Sequence, residues 1–340
     1  MTKLRVGIVG YGIVGKRRRE YIDRNKYLKT VAVSDINFKK DGAFSSGLLY
    51  FNDYKKIFSA KLDILFVCLP NRYAPRATIA GLKNDLHVFC EKPPGRSVKD
   101  IKEVIKIKKN KKKLKLKYGF NHRYHDSIID AKKIIDSNKF GKIINFRGVY
   151  GKSAIIPFTG EWRSKRSEAG GGILLDQGIH MLDMMLYFSD EFIKVHSFVK
   201  NSFWNHDVED NAYTIMESKK GIIGMLHSTA TEWRHKFRLE ITLEKAQLEL
   251  SGILSGSKSY GEEKLIVTKK KNSRDNKIPK EKVRRYLTDK SWKREIDEFA
   301  SCIINNKVIE NGSSNDALNV MKLIQKIYKS DSTWKRKYII

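Results

Sequence analysis

Three glycines near the N-terminus constrain the fold of this chain more than any other feature. The apolar run Leu4–Val9 is followed at once by Gly10-Tyr-Gly-Ile-Val-Gly15, after which a helical pattern begins. In such a strand–turn–helix unit, the first glycine permits a tight turn, the second lets a pyrophosphate approach the backbone, and the third lets helix pack on strand. The N–H groups of the helix start attract phosphates. The predicted dinucleotide-binding residues are Gly10, Tyr11, Gly12, Ile13, Val14 and Gly15.

The next apolar segment, residues 31–35, predicts which dinucleotide binds. It ends in Asp35, at the distance from the glycines where an acid accepts hydrogen bonds from the adenosine ribose. A carboxylate at this position repels a 2′-phosphate, so NAD is favoured over NADP. Lys39 and Lys40 are close enough to keep NADP as the less favoured alternative.

Further apolar segments follow at the spacing of βα units, at residues 48–51, 64–69, 87–91 and 114–120. Continuous apolar runs separated by helical stretches predict an α/β fold with a doubly wound parallel sheet covered on both faces. Ligands of such sheets bind beyond the carboxyl ends of the strands. The residues expected at those ends, and therefore near the cofactor, are Leu69, Pro70, Asn71, Glu91 and Lys92.

Far downstream, polar residues recur at helical spacing after a run of three glycines. Asp176, His180 and Asp183 are four and three residues apart, which places them on one side of a helix. A carboxylate beside an imidazole can orient the ring for proton transfer. From the residues alone, a buried core histidine and a metal-binding pair are alternatives. No third ligand with suitable spacing accompanies the pair, so no metal is expected.

Three motifs in this order resemble those of the Gfo/Idh/MocA oxidoreductases, the family of glucose–fructose oxidoreductase and inositol dehydrogenase. They are the glycine turn, Glu91-Lys-Pro93, and the Gly-Gly-Gly…Asp-x-Gly-x-His-x-x-Asp segment over residues 170–183. Asn121-His-Arg-Tyr124 and Phe140-Gly-Lys-Ile-Ile144 occupy the places of two further family motifs, so the resemblance covers nearly the whole chain. One departure is Arg72-Tyr-Ala-Pro75, where many members carry a histidine.

The resemblance implies nicotinamide-dependent hydride transfer at a sugar or cyclitol carbon. It assigns catalytic roles to Lys92 as hydrogen-bond donor, His180 as base and Asp176 as orienting carboxylate. The aromatic and basic residues before the glycine run are similar to those of members that act on sugars or nucleotide sugars in surface polysaccharide pathways. The substrate-binding candidates are Asn121, Arg123, Tyr124, Trp162 and Arg163.

The C-terminal half is predicted to be an α+β domain. Strand-like segments follow one another at residues 143–149, 195–199, 212–216, 222–227, 237–243 and 247–250, which favours a large, mostly antiparallel sheet. We expect a Rossmann domain over residues 1–122 and a substrate-binding and oligomerisation domain over 123–340, whose late helices can pack back on the first domain. In the family, the open face of this sheet packs between subunits, which implies a homodimer or homotetramer.

The net charge of +30 has two interpretations. Basic proteins can bind nucleic acid, anionic membranes or phosphorylated substrates. Lysines spread over a whole chain also indicate a lysine-rich coding bias, in which most of the lysines lie on solvent-exposed faces. The densest cluster, residues 99–117, has an amphipathic helical pattern and lacks stacking aromatics, so no nucleic-acid partner is expected. No apolar run reaches eighteen residues, so no membrane partner is expected. The scattered cysteines and a first segment that reads as a strand predict a cytoplasmic protein.

Two alternatives to the dehydrogenase remain open. One keeps the fold and changes the chemistry, as a ketoreductase or as a redox-neutral lyase or epimerising enzyme that recycles bound NAD. The other is a non-catalytic dinucleotide sensor. Tightly retained NAD would favour recycling, and NADH formation from a sugar would exclude the sensor.

Overall fold

The computed structural model describes residues 2–154, 162–255, 259–269 and 278–337. The chain forms two compact units, each built from two stretches of sequence. The first unit comprises Met1–Asn121 and Trp292–Leu318, and the second comprises His122–Ser291 and Asn319–Ile340. Among the described residues, no helix combines the length and apolar character needed to cross a membrane.

The first unit contains a seven-stranded sheet in the order β3-β4-β2-β1-β5-β6-β7. Its described strands are parallel to their neighbours except β3, which pairs antiparallel with β4. This confirms the predicted Rossmann-type sheet. The strands are β1 (Leu4–Val9), β2 (Leu28–Ser34), β3 (Gly42–Ala43), β4 (Leu49–Phe51), β5 (Ile64–Val67), β6 (His87–Glu91) and β7 (Leu116–Gly119), and the helices are α1 (Ile13–Arg24), a 3₁₀ helix (Tyr54–Ala60), α2 (Ala74–Lys83) and α3 (Val98–Lys109).

Helix α3 carries five of the ten lysines in the cluster at residues 99–117, and its sequence explains how the helix is oriented. It begins with a capping box, in which the Ser97 hydroxyl accepts from the Asp100 N–H at 3.4 Å and the Asp100 carboxylate accepts from the Ser97 N–H at 3.2 Å. Val98, Ile101 and Val104 form its buried face. The lysines between them therefore lie on the solvated side, as the amphipathic pattern predicted.

The second unit contains an eight-stranded sheet in the order β15-β14-β13-β12-β8-β11-β10-β9. Among the described strands, β8 and β11 pair in parallel and the other neighbours pair antiparallel, which confirms the predicted mostly antiparallel sheet. Its elements are a 3₁₀ turn (Asn121–Tyr124), α4 (Asp126–Asp136), β8 (Ile143–Ser153), α5 (Arg166–Ala169), a π-helical turn (Leu174–Gly178), α6 (Ile179–Phe188), β9 (Phe192–Lys200), β10 (Asn211–Ser218), β11 (Ile223–Glu232), β12 (Lys236–Leu243), β13 (Ala246–Ser251), β14 (Glu263–Lys269) and β15 (Glu281–Tyr286).

Helix α6 lies on one face of this sheet, close to β8. A side chain at Gly148 of β8 would place its Cβ 2.7 Å from Met185 Cε and 2.9 Å from Met181 Cγ. Both methionines are buried. The absence of a side chain at this glycine therefore lets the helix that carries His180 pack directly against the sheet.

Three late helices complete the fold: α7 (Ser291–Ile304), α8 (Ser314–Ser330) and α9 (Trp334–Lys337). Ile296 and Phe299 of α7 share an apolar core with Ile8 of β1 and Phe66 of β5. Helix α7 therefore belongs to the core of the first unit, although it lies far from that sheet in the sequence.

Candidate functional site

The glycine turn after β1 fits the backbone of a dinucleotide. Gly10 has φ +84°, and a Cβ there would lie 2.3 Å from the carbonyl oxygen of Cys68. A Cβ at Gly15 would lie 2.1 Å from the carbonyl oxygen of Gly10. At Gly12, by contrast, a Cβ would meet no described heavy atom within 4 Å. The fold thus requires the first and third glycines, whereas the second lies beside open space at the start of α1, where a pyrophosphate binds in this motif.

The residues around this turn differ in exposure. Ile13 is 83% exposed, and Val14 is half-buried. The Tyr11 hydroxyl accepts a hydrogen bond from Arg19 of α1 at 2.8 Å, which ties the tyrosine side chain to that helix. The large exposed area of Ile13 agrees with a position that a cofactor covers.

Asp35 directly follows β2, as predicted. Its Oδ1 accepts hydrogen bonds from the backbone N–H of Asn37 at 3.0 Å and from its side-chain amide at 2.7 Å. The carboxylate is half-buried, and Ile36 beside it is 88% exposed. Asp35 is therefore held in a defined orientation at the carboxyl end of its strand, where a ribose hydroxyl binds in this fold.

The other predicted cofactor residues also lie at strand ends of the first unit. Leu69 and Pro70 follow β5 and are half-buried, and Asn71 is 5% exposed. Glu91 ends β6, and Lys92 follows it, half-buried, with a cis bond to the next proline. The placement of these residues agrees with the edge at which open α/β sheets bind ligands.

A buried ionic cluster behind Glu91 was not predicted from the sequence. Arg18 of α1 is fully buried, with its Nε donating to Glu91 and its NH2 2.7 Å from Glu295 of α7. Its guanidinium also lies 4.5 Å from the Phe89 ring centre and 4.2 Å from that of Trp292. Burial opposes the charge on Arg18, but the two carboxylates outweigh it and raise its pKa. The Glu91 carboxylate thus anchors the end of β6 immediately before Lys92.

The segment with Asp176 and His180 is not one regular α-helix. Asp176 lies in the π-helical turn Leu174–Gly178, whereas His180 and Asp183 lie in α6. The prediction of a continuous α-helix was therefore wrong at its start. The apolar residues of the π turn are buried like those of an α-helix, so their pattern does not distinguish the two. Single π turns inside α-helices recur at functional sites.

Buried Glu209 holds the start of this segment. Its carboxylate accepts from the N–H of Gly172 at 2.7 Å, from the N–H of Leu174 at 3.0 Å and from the Tyr328 hydroxyl at 2.7 Å. Burial raises the pKa of Glu209 to about 7. A Cβ at Gly172 would lie 1.9 Å from the Glu209 carbonyl oxygen, and one at Gly171 would lie 2.1 Å from the Tyr328 hydroxyl. The glycine run is thus needed for close packing against Glu209 and Tyr328.

Asp176 faces basic and aromatic groups of the second unit. Arg163 Nε is 3.9 Å from Asp176 Oδ1, and its guanidinium lies 4.2 Å from the Trp162 ring centre. Burial and the nearby Asp176 raise the pKa of Tyr260, and burial, Tyr260 and Asp176 raise that of Tyr150, so both phenols stay neutral. Residues 158–161, which precede Trp162 in the sequence, lie outside the described residues.

Arg123 makes a buried ion pair with Asp183. Its Nε and NH2 donate to the two carboxylate oxygens at 2.8 and 2.7 Å, and the two residues are 5% and 1% exposed. The guanidinium also lies 4.7 Å from the Tyr187 ring centre. The ion pair therefore anchors α6 to the 3₁₀ turn that carries Arg123. Tyr124 is buried and Asn121 is half-buried, so substrate contact by Asn121, Arg123 and Tyr124 stays a prediction.

His180 is 4% exposed and lies in a cluster of aromatic rings. His122 stacks on it with ring centres 3.7 Å apart, and the Tyr150 ring centre is 6.3 Å away. Among the described residues, no group of three His, Cys, Asp or Glu side chains is arranged to hold a metal ion.

Comparison with known proteins finds two family models that match successive segments of the chain. Residues 4–120 match the family model described as "Oxidoreductase family, NAD-binding Rossmann fold". Residues 128–249 match the model "GFO/IDH/MocA C-terminal domain". The NAD-binding match agrees with the open space at Gly12 and with the placement of Asp35.

Two curated relatives and one solved structure illustrate the similarity. D-glucoside 3-dehydrogenase of Escherichia coli is 28% identical over 208 residues, which span 58% of this chain and 59% of that protein. Inositol 2-dehydrogenase of Salmonella paratyphi B is 24% identical over 264 residues, spanning 75% of this chain and 76% of that protein. A levoglucosan dehydrogenase in complex with NADH has a TM-score of 0.83 at 19% identity, covers 98% of both chains, and shares the fold.

Proposed function

Because this chain belongs to the Gfo/Idh/MocA oxidoreductases, we propose that it is a dehydrogenase that transfers hydride between NAD and a CH–OH carbon of a sugar, cyclitol or nucleotide sugar. The observation that carries the proposal is the match of residues 4–120 and 128–249 to models of this family, with open space at Gly12 in the Rossmann unit. The dehydrogenase names of its relatives support the reaction class.

The cofactor role is assigned to the first unit. The N–H groups at the start of α1 would hold the pyrophosphate, and Asp35 would accept from the adenosine ribose. NAD, when bound, supplies the acceptor for the hydride that leaves the carbinol carbon. The carboxylate of Asp35 disfavours the 2′-phosphate of NADP, which supports NAD as the preferred cofactor.

Proton handling is assigned to His180, Lys92 and Asp176 by the family motifs. As an alcohol is oxidised, His180 takes the hydroxyl proton, and the Lys92 ammonium donates a hydrogen bond to the oxygen as negative charge develops there. Asp176 orients the substrate hydroxyl. The assignment is supported by two carboxylates that anchor these segments, because catalytic groups need fixed orientations. Half-buried Glu91 lies next to Lys92, and buried Glu209 binds the backbone just before Asp176.

The surroundings of Asp176 support a polyol substrate. The Trp162 ring can stack on the apolar face of a sugar ring, and Arg163 can donate to hydroxyl or phosphate oxygens. A net charge of +30 favours an anionic substrate such as a phosphorylated or nucleotide-activated sugar. A role in surface polysaccharide synthesis is the pathway that such a substrate would fit.

We also propose that the protein is a homodimer or homotetramer joined through the second sheet. One face of β9, β10 and β11 exposes large apolar side chains in neighbouring positions, which single chains rarely leave in water. These side chains are Phe198, Tyr213, Ile215, Ile223 and Met225. Light scattering after gel filtration would test this, since Ile215→Lys should yield a smaller species if the face is an interface.

A coupled substrate screen tests the dehydrogenase proposal. Purified protein is mixed with NAD or NADP and with myo-inositol, levoglucosan, glucosides, sugar phosphates or nucleotide sugars, and NADH is followed at its absorbance maximum. We expect reduction of NAD with at least one polyol. His180→Asn should lower kcat by about 100-fold to 10,000-fold, the usual contribution of a proton-transfer group. Lys92→Ala should lower kcat by about 100-fold to 1,000-fold, the usual effect of removing one donor to a developing oxyanion.

The affinity for NAD, measured by calorimetry, serves as the control for His180→Asn, because His180 is not among the residues assigned to the cofactor. The proposal is overturned if no polyol reduces either cofactor, or if both variants keep normal turnover while binding NAD. Protein that retains NAD through purification and converts a sugar without net NADH formation would indicate cofactor recycling.

A further inference from the structure

A second histidine lies face to face with His180. The ring centres of His122 and His180 are 3.7 Å apart and their planes are 17° from parallel. Both residues are buried, with His122 7% and His180 4% exposed. His122 belongs to the 3₁₀ turn after β7, and His180 to α6, so the tertiary fold creates the contact.

The His122 ring is held on several sides. Its Nε2 lies 3.1 Å from the Tyr150 hydroxyl, with which it shares a hydrogen bond. The ring of His125 lies edge-on at 5.5 Å, and that of Phe237 lies at 6.1 Å. These contacts hold the His122 ring in the stacked position.

The other titratable and charged groups near this histidine pair also have identified partners. His125 pairs with Glu263 at 2.8 Å. Arg123 pairs with Asp183 on α6. The neutral phenols of Tyr150 and Tyr260 lie close enough to Asp176 to respond to its charge.

Two stacked imidazoles cannot both be protonated without strong repulsion. Like charges at this distance in a protein interior shift the second proton uptake to lower pH by about one to three units. The proton on one ring therefore depends on the state of the other, and the pair takes up its two protons in separate steps.

We propose that His122 is a positioning residue that holds the ring of His180 and lowers the pH at which His180 becomes protonated. For its effect on turnover, this role rests on the proposed function, in which His180 must be unprotonated to accept the hydroxyl proton. An imidazole that stays unprotonated to lower pH keeps the base available over a wider pH range.

Histidine NMR on the whole protein tests the pairing without using activity. The chain has eight histidines, and His180→Asn identifies the His180 signal in ¹³C-labelled histidine spectra. His122→Phe keeps a stacked ring and removes the titrating one. We expect the protonation midpoint of His180 to rise by about one to three pH units in this variant. His196→Phe, which alters an exposed histidine of β9, is the matched control and should leave the midpoint unchanged.

His122→Gln gives the same test if the phenylalanine variant does not fold, since an amide also carries no charge. Once a substrate is known, the acidic limb of the profile of kcat/KM against pH should shift to higher pH by the same amount in both variants. An unchanged or lowered His180 midpoint overturns the inference, even if the enzyme oxidises sugars. A raised midpoint in a protein that never forms NADH supports the pairing and contradicts the proposed function instead.

Discussion

The substitution Arg18→Met removes a fully buried positive charge from between two carboxylates. Arg18 contacts Glu91 at the end of β6 and Glu295 on α7, and it lies over the rings of Phe89 and Trp292. Glu295 is also fully buried. Methionine matches the length of the arginine stem and fills the space, so the loss of charge dominates the effect.

The expected loss of stability is large. Breaking a buried ion pair by removing one partner costs about 3–5 kcal/mol, because the remaining charge is uncompensated. Loss of the cation–ring contacts adds roughly 0.5–2 kcal/mol. A domain is stable by only about 5–15 kcal/mol, so at pH 8 the first unit of Arg18→Met should lose a substantial part of its free energy of unfolding.

This loss should depend on pH in a defined direction. Burial raises the pKa of Glu295 from 4.5 to about 7, although Arg18 opposes that shift. The folded state therefore binds this proton more tightly than the unfolded state, and the free energy of unfolding falls as pH rises from 4.5 to 7, by about 3 kcal/mol from this group. Without Arg18 the pKa of Glu295 rises further. The variant should therefore lose less stability at pH 5.5, where Glu295 is protonated, than at pH 8.

Urea unfolding at the two pH values measures the effect. Circular dichroism and tryptophan fluorescence are followed together because a chain of two units can unfold in steps. Arg18→Lys, which keeps the charge but not the forked geometry, should lose less than Arg18→Met. The double variant Arg18→Met/Glu295→Leu should recover at least half the loss at pH 8, since apolar groups replace a buried pair at little cost. A loss at pH 8 below about 1 kcal/mol, or equal losses at both pH values, would refute the reasoning.

Four further substitutions test three separate parts of the structure. Gly12→Ala should keep the melting temperature but weaken NAD binding at least about tenfold in calorimetry, whereas Gly10→Ala should lower the melting temperature because its Cβ meets backbone; equal effects of the two would contradict the assignment. Glu209→Gln should lower the free energy of unfolding by about 1–3 kcal/mol, because the new amide N–H₂ would face a backbone donor. An unchanged melting temperature would contradict the role of Glu209 in holding the backbone at Gly172 and Leu174. Asp183→Asn should cost about 3 kcal/mol or more by leaving Arg123 buried without a balancing charge, and a loss under 1 kcal/mol would argue against the buried pair.

Local signals in the sequence were sufficient to predict most of the secondary structure of the first unit. The strands β1 and β6 have the predicted bounds because each is a short, mainly apolar run, which is followed by a glycine after β1 and ends at the Glu-Lys-Pro sequence in β6. The separate roles of Gly10, Gly12 and Gly15 also follow from the motif, since each depends on backbone only a few residues away or on a neighbouring strand end.

The elements that were missed lack such signals. The strand β15 is almost entirely exposed, so it has no alternation of apolar and polar residues to detect. Arg18 stands in a run of basic residues that predicts a solvated helix face. Its burial depends on Glu295, which folds against it from the other end of the chain. His122 and His180 have no sequence pattern that brings them together, so only the tertiary structure shows their contact.

The late helices therefore contribute to both candidate catalytic segments, each within its own unit. Glu295 of α7 shares Arg18 with Glu91, which lies directly before Lys92. Tyr328 of α8 donates to Glu209, which holds the turn that begins the Asp176 and His180 segment. In both cases, a buried carboxylate with a pKa of about 7 helps to hold the segment that carries a proposed catalytic group, without belonging to that segment. Since neither motif contains these anchors, transplanting the motif residues without α7 and α8 would not reproduce their orientation.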